Sequence, residues 1–327
     1  MNSAKRYLQA AQMVYIACHI IPDGDAIGSL LGLGLGLRRL GKSCTMACAD
    51  PVPAKFNFLT GWQEITAQPP KNEEVIVTID SSDIERLGSL YDEHIFRSRP
   101  IINIDHHVTN TRFGTVNLVQ LLPSTAEIVY ALLRRLQAPL DKDIATALLV
   151  GLVTDTQCFR TSNVTAKQLR MAIALMKAGA SLTDITELVF NREPISTICL
   201  WGQALAHVQR RGRVMWTEID QHMMRKCGAA PNEGNSLVSF LASTMGVDVA
   251  IVFREKDDGR IEVSMRAGHG WDVSEVALKL GGGGHPRAAG CTIAGKMAKV
   301  RELVLGEIEA ALQKQAMARE EQNAEGG

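Results

Sequence analysis

Short, almost wholly apolar runs alternate with longer amphipathic stretches through the first half of the chain. MVYIAC (13–18), CTMAC (44–48), EVIVTI (74–79) and PIINI (100–104) are five or six residues long and partly β-branched. Runs of this kind read as strands buried on both faces. AIGSLLGLGLGLRRLG (26–41), STAEIVYALLRRLQ (124–137) and DIATALLVGLV (143–153) read as helices, and 165–190 as two more. Strand-helix alternation predicts an α/β fold around a parallel sheet with right-handed crossovers. NREP (191–194) then breaks the pattern, and ISTICLWGQALAHVQR (195–210) reads as a connecting helix. From 213 the strand patterns dominate, in RVMWTEI, VDVAIVFRE, RIEVSMR and AGCTIAG, with helical patterns near 233–245 and 272–280 and from about 297. The expected organisation is a parallel-sheet domain over 1–194, a helical linker over 195–212 and a smaller α+β domain with a mixed sheet over 213–314. Residues 315–327 end in AREEQNAEGG, which offers no apolar anchor and is expected to be a disordered tail.

Gly34 and Gly36 suggest a nucleotide-binding loop, but Arg39 stands where the third glycine of GxGxxG would fall. Inside a helix they, with Gly32, serve close helix-sheet packing better.

Composition narrows the classes. The chain has 327 residues, 46% of them hydrophobic, which is enough for two cores. Lys plus Arg and Asp plus Glu are 35 each, for a net charge of zero. Long duplex nucleic acid is held through a basic excess that neutralises phosphates, so that partner is not expected. Nothing approaches the roughly 20 apolar residues that span a bilayer. Seven cysteines at 18, 44, 48, 158, 199, 227 and 291 form no metal-ligand spacing. Their odd number and the lack of a secretory leader predict reduced thiols in a cytoplasmic protein with no membrane contact.

The chemistry lies at the predicted strand ends, where open parallel sheets bind ligands. The first strand ends in HIIPDGDAIGS, with His19, Asp23 and Asp25; EVIVTI ends in Asp80; PIINI ends in Asp105, His106 and His107; and GLVTDTQCFR places Asp155 just past an apolar helix. Each has a bland reading: Asp25 as a helix cap, Asp80 as a turn former, the histidines as a surface pair, Asp155 as a helix end. Together they are harder to dismiss, because carboxylates converging on one sheet edge repel unless multivalent cations sit among them. Carboxylates with some imidazole and no cysteine suit manganese or magnesium. The number of groups predicts a two-metal phosphoesterase, its cations roughly 3.5–4 Å apart. Later, GGGGHPRAAG (281–290) follows a helical pattern. One glycine would cap the helix, whereas four let backbone N–H groups approach an anion, with His285, Arg287 and Arg266 as further donors.

The ordered blocks HIIPDGDAIGS, TIDSSDIERLG, NIDHHVTN with STAEIVY, GLVTDTQCFR, EVSMR and GGGGHPRAAG resemble the DHH phosphoesterases, over nearly the whole chain. The glycine-rich block is similar to that family's DHH-associated carboxyl-terminal domain, and the length and block order resemble its nano-RNase branch. The resemblance implies two Mn²⁺, with Mg²⁺ or Co²⁺ as substitutes. It implies His19 and Asp23 on one cation, Asp25, His106 and Asp155 on the other, and Asp80 bridging. Asp105 would orient a ligand, and His107 would act beside the phosphate as an acid or a contact. Arg266, Gly282, Gly283, Gly284, His285 and Arg287 would hold the nucleotide; the linker at 195–210, on its own account, suggests closure of the domains over substrate. The implied activity is hydrolysis of short RNA, roughly two to five nucleotides, to 5′-mononucleotides, with 3′-phosphoadenosine 5′-phosphate phosphatase activity; few and scattered aromatic residues agree with a short substrate. Cyclic di-AMP or its linear product pApA is the alternative substrate, and a non-catalytic nucleotide sensor or RNA-binding module the alternative of another class. The resemblance also implies a homodimer. Gln157 and Cys158 depart from the family pattern, in which glycine is more common after the second threonine, and an altered turn is expected there.

Overall fold

The continuous apolar runs of the first half pair side by side, as strands with no solvent face should. In the computed structural model, which describes residues 1–231 and 233–325 with side chains through 319, the chain divides into two units, Met1–Arg192 and Glu193 onward. The first unit comprises α1 (Asn2–Ala10), β1 (Met13–Cys18), α2 (Gly24–Arg39), β2 (Ser43–Ala47), β3 (Val75–Ile79), α3 (Glu93–Arg97), β4 (Ile101–Asp105), β5 (Val116–Val119), α4 (Thr125–Leu136), α5 (Lys142–Asp155), α6 (Ala166–Lys177) and α7 (Leu182–Phe190).

Its sheet is parallel throughout, in the order β2-β1-β3-β4-β5. Every residue of β3 and β4 is buried, which accounts for their lack of polar alternation. By contrast β5, an edge strand with Leu118 alone buried, carries no such pattern in its sequence. Since β2 and β3 lie on opposite sides of β1, the strand order reverses there, and the carboxyl ends of β1 and β3 flank the crevice where ligands bind in such folds.

α2 packs on α5 at very short range. A methyl group at Gly28 would lie 2.4 Å from the Ala147 carbonyl oxygen and 2.8 Å from Gly151 N. Gly32, Gly34 and Gly36 lie equally close to the side chains of Leu148, Met46 and Leu133, so the glycine-rich helix serves packing.

The second unit comprises α8 (Ile195–Leu205), β6 (Gln209–Arg211), β7 (Val214–Ile219), α9 (Gln221–Cys227), α10 (Leu237–Ala242), β8 (Val249–Glu255), β9 (Arg260–Ala267), α11 (Ser274–Lys279), β10 (Gly283–His285), β11 (Ala288–Ala294) and α12 (Met297–Glu325). Its sheet, β10-β11-β9-β8-β7-β6, is antiparallel except for the parallel pair β7 and β8. The α/β class, with one parallel and one mixed sheet, is therefore as the patterns predict.

Three expectations need correction. The helix of 195–210 stops at Leu205, and β6 takes the last residues; moreover, Leu200 and Ala204 are buried with Ile219, Leu241 and Val252, so this segment is core of the second unit, not a free linker. The tail expected to be disordered from 315 is helical as far as Glu325, because α12 simply continues; Gly326 and Gly327 lie outside the described residues. Cys199 on α8 and Cys227 on α9 are joined in a disulfide with their Cα atoms 5.5 Å apart, where reduced thiols were expected. Tertiary packing of α8 against α9 makes that pair, and a separation of 28 residues matches no local motif. Among the described residues no helix is long and apolar enough to cross a membrane.

Gly28→Ala should lower stability by about 1–3 kcal/mol, since the new methyl meets fixed backbone. Gly32→Ala meets only the end of Leu148 and should cost less, and urea denaturation of both variants measures the difference.

Candidate metal centre

The seven strand-end residues of the amino-terminal half, with Asp155, all belong to the first unit, and most of them meet at the β1/β3 crevice. His19 follows β1 directly, and its Nε2 lies 3.6 Å from Asp80 Oδ2 and 3.9 Å from Asp23 Oδ1. His106 follows β4, with Nε2 3.5 Å from Asp80 Oδ1 and 3.2 Å from Asp155 Oδ2. Three groups have donor atoms within 4.8 Å of one another: His19, Asp23 and Asp80; Asp25, His106 and Asp155; and Asp80, His106 and His107. No cysteine belongs to any of them among the described residues. Asp80 is common to two groups, and it sits just past β3 at φ +57, a left-handed backbone that aspartate tolerates better than most residues.

Asp23 rather than Asp25 caps α2, its Oδ1 accepting from the Asp25 and Ala26 N–H groups at 3.0 Å each. The Asp25 carboxylate instead caps a different helix. Its Oδ2 accepts from Thr125 N at 2.5 Å and its Oδ1 from Ala126 N at 3.0 Å, at the start of α4, while Ser29 Oγ donates to Oδ1 at 3.1 Å. Oδ1 thus has both lone pairs engaged, and Oδ2 keeps one for a cation. Ser124, the residue at the N-cap position of α4, makes no capping bond with its own side chain.

Each imidazole is held by a partner behind it. His19 Nδ1–H donates to Ile20 O at 2.6 Å and His106 Nδ1–H to Leu122 O at 2.9 Å, which turns Nε2 of both toward the carboxylates, where a cation would take the place of its proton. His107 Nδ1–H donates to Asp105 Oδ1 at 2.7 Å, and this bond competes with the third group, where the same nitrogen is 3.7 Å from Asp80. Asp105 is fully buried and also accepts from Asn110 Nδ2 at 2.5 Å; Asn110 in turn donates to Asn103, which donates to Thr78 and to Ser81 O. Thr125 and Asn110 carry these contacts although neither ionises. They stand in the blocks STAEIVY and NIDHHVTN, where nothing but their place beside ionisable residues marks them.

The electrostatics show why the cluster suits cations. Burial, then the charges of Asp80 and Asp155, push Asp25 well above the usual carboxylate range. Burial likewise raises Asp155 to about 6, with Asp23 and Asp80 adding to it against the bond from His106. Burial would lower His106, but the bond to Asp155 and the charges of Asp80 and Asp25 raise it to about 11. Asp80 moves the other way: burial raises it, yet the bond from His19 and the charges of His106, His107 and His19 outweigh that and hold it low. Without a cation, protons must offset the converging carboxylates. Divalent cations would do so with every carboxylate ionised, and the oxygen and imidazole donor set fits Mn²⁺ or Mg²⁺.

The expected nucleotide contacts sit together in the second unit, on β9, on β10 and in the segments flanking β10. Arg266 on β9 pairs across from Ala288 on β11, and Arg287 Nε reaches Ala267 O at 3.5 Å. The glycine run differs from the expected open nest. Gly283–His285 form β10, paired with β11, and methyl groups at Gly282 and Gly284 would lie 2.1 Å from Gly290 O and 2.5 Å from Ala288 O. Close pairing of the hairpin therefore accounts for Gly282 and Gly284, while Gly283 has nothing near its missing side chain. Past Asp155, Gln157, Cys158 and Phe159 are all left-handed, at φ +47, +58 and +64, an unusual turn for three residues with side chains.

A largely buried carboxylate-imidazole cluster at the switch point of a parallel sheet has the donor set of an enzyme site for divalent cations. Residues 13–152 match the DHH family, N-terminal domain, and residues 221–314 the DHHA1 domain. The chain is 37% identical over 290 residues to the bifunctional oligoribonuclease and PAP phosphatase NrnA of Thermus thermophilus, covering 86% of this chain and 84% of that one. It is 25% identical over 333 residues to the cyclic-di-AMP phosphodiesterase GdpP of Geobacillus thermodenitrificans, spanning 94% of its own length but 48% of that protein. The crystal structure of an exopolyphosphatase-related protein from Bacteroides fragilis superposes with a TM-score of 0.87, covering 97% of each chain at 22% identity, which shows a shared fold. The chain belongs to the DHH phosphoesterase family and is a hydrolase that uses a divalent metal.

Protons and cations should compete for these donors. Mn²⁺ uptake by the metal-free protein should release about one proton or more near neutral pH, from His106 and the raised Asp25 carboxyl, and affinity should fall as pH drops through about 6, where Asp155 also protonates. Titration calorimetry in buffers of different ionisation enthalpy measures both. The raised Asp155 carboxyl stabilises the metal-free fold below the ordinary carboxylate range, and that contribution is lost as pH rises through about 6.

Proposed function

We propose that this protein is a two-Mn²⁺ phosphoesterase that hydrolyses RNA roughly two to five nucleotides long to 5′-mononucleotides, and that it removes the 3′-phosphate of 3′-phosphoadenosine 5′-phosphate in the same pocket. The observation that carries this reading is the position of Asp80 between two imidazoles, with one carboxylate oxygen toward each. In this reading His19 and Asp23 hold one cation, Asp25, His106 and Asp155 hold the other, and Asp80 bridges them. The cations, when bound, supply Lewis acidity toward a phosphoryl oxygen and a water that ionises near neutral pH. His107 keeps a proton on Nδ1 against Asp105 and acts beside the phosphate as an acid or a contact. Arg266, Gly282, Gly283, Gly284, His285 and Arg287 bind the nucleotide, so that the second unit, from Glu193 onward, selects the substrate and the first unit, Met1–Arg192, cuts it. The named activities of the Thermus relative support the choice of substrates. The reading includes a homodimer acting in the cytoplasm on short substrates, with no long duplex.

The likeness to a cyclic-di-AMP phosphodiesterase favours a second reading, in which cyclic di-AMP or pApA is the substrate.

The test is product analysis in Mn²⁺ with a diribonucleotide, pApA, 3′-phosphoadenosine 5′-phosphate, cyclic di-AMP and pyrophosphate supplied separately at equal concentration. Mononucleotide release from the diribonucleotide and AMP from 3′-phosphoadenosine 5′-phosphate, with pyrophosphate untouched, is expected. Turnover of cyclic di-AMP with an inert diribonucleotide would install the second reading, and turnover of pyrophosphate alone would overturn both. Asp80→Ala should reduce activity by more than the roughly 10–100-fold typical of losing an outer-shell partner.

A further inference from the structure

We propose that Thr125 is the positioning residue of the bridging carboxylate, and that its hydroxyl sets how tightly the second cation is held. The proposal rests on the two-cation reading of the site.

Thr125 is the first residue of α4 and is fully buried. Its backbone N–H donates to Asp25 Oδ2 at 2.5 Å, and its Oγ1 donates to Asp80 Oδ1 at 2.8 Å. One residue thus touches a carboxylate from each ligand group. For a threonine in a first helical turn this is an uncommon use of the hydroxyl, which ordinarily bonds locally to backbone.

The location of that bond matters. Asp80 Oδ2 is 3.6 Å from His19 Nε2, and Oδ1 is 3.5 Å from His106 Nε2. Thr125 therefore bonds the oxygen on the His106 side. A carboxylate oxygen has two lone pairs, so the hydroxyl occupies one and leaves one for a cation shared with His106. Asp80 is itself buried, and bulk water is not at hand to replace the missing donor. Without the hydroxyl the carboxylate can turn about its terminal torsion and give both oxygens to the His19 side. The cation at Asp25, His106 and Asp155 then loses its bridge, while the other keeps its ligands.

The experiment compares metal-free wild type, Thr125→Val and Thr125→Ser during Mn²⁺ titration, with free Mn²⁺ read by electron paramagnetic resonance. Wild type should take up two ions. Thr125→Val should hold the first normally and bind the second about 10–100-fold more weakly, the range for loss of an outer-shell partner. Thr125→Ser keeps the hydroxyl and should behave as wild type. The backbone N–H to Asp25 is present in all three, so this contrast isolates the hydroxyl. Should Thr125→Val not fold, as judged by circular dichroism, Thr125→Ala removes the same hydroxyl with less bulk and gives the same expectation. Normal binding of the second ion by the hydroxyl-free variants would overturn the proposal. Equal weakening in Thr125→Ser would also overturn it, by assigning the effect to packing. Uptake of fewer than two ions by folded wild type would instead sink the two-cation reading, and the proposal with it.

Discussion

The Asp25 carboxylate at the amino end of α4 is the contact on which the rest of the site depends. The N–H groups of Thr125 and Ala126 have no partner within their own helix, and Ser124 does not cap them, so a carboxylate from α2 does. Room for it comes from Gly151 on α5, where a methyl group would lie 2.6 Å from Asp25 Oδ1. Three helices therefore close around one anion, and the helix dipole of α4 favours its charge. The same burial, with Asp80 and Asp155 nearby, pushes the Asp25 carboxyl up. A group that the fold needs as an anion is thus placed where only a cation makes it a comfortable one, which ties the packing of the first unit to its chemistry.

Stiffness follows from the layers behind the donors. Leu122 O holds His106, and Asp105 holds His107. Behind Asp105, Asn110, Asn103, Thr78 and Ser81 O form a buried network in which one amide group serves several acceptors. Such networks lose heavily if any member is left unpaired, so they hold one geometry. The strands that carry these residues are buried on both faces, and this gives the metal-facing side chains a fixed base.

The second unit shows how an apparently chemical motif can have a packing cause. Four glycines before His285 look like an anion cradle, yet two of them are explained by the β10/β11 hairpin, whose backbones approach too closely for a side chain. Arg266 on β9 and Arg287 in the turn between β10 and β11 remain cationic donors beside that hairpin. Burial lowers the Arg266 guanidinium, as expected of a charge without a close carboxylate.

The sequence by itself determined the α/β class, the parallel strands and the set of ionisable residues at their ends. Strands buried on both faces must be uniformly apolar, and an aspartate or histidine ending such a strand interrupts that pattern plainly. The edge strand β5 and the short helices α1, α3 and α9 bury too little to leave a comparable mark. Only the tertiary structure decided which carboxylate caps which helix, that Thr125 and Asn110 serve the site, that 195–205 belongs to the core of the second unit, and that Cys199 meets Cys227. These are contacts between residues far apart in the chain, and local periodicity carries no information about them. A hydroxyl or amide that completes a buried hydrogen bond looks in sequence like any other polar residue until its partner is brought beside it.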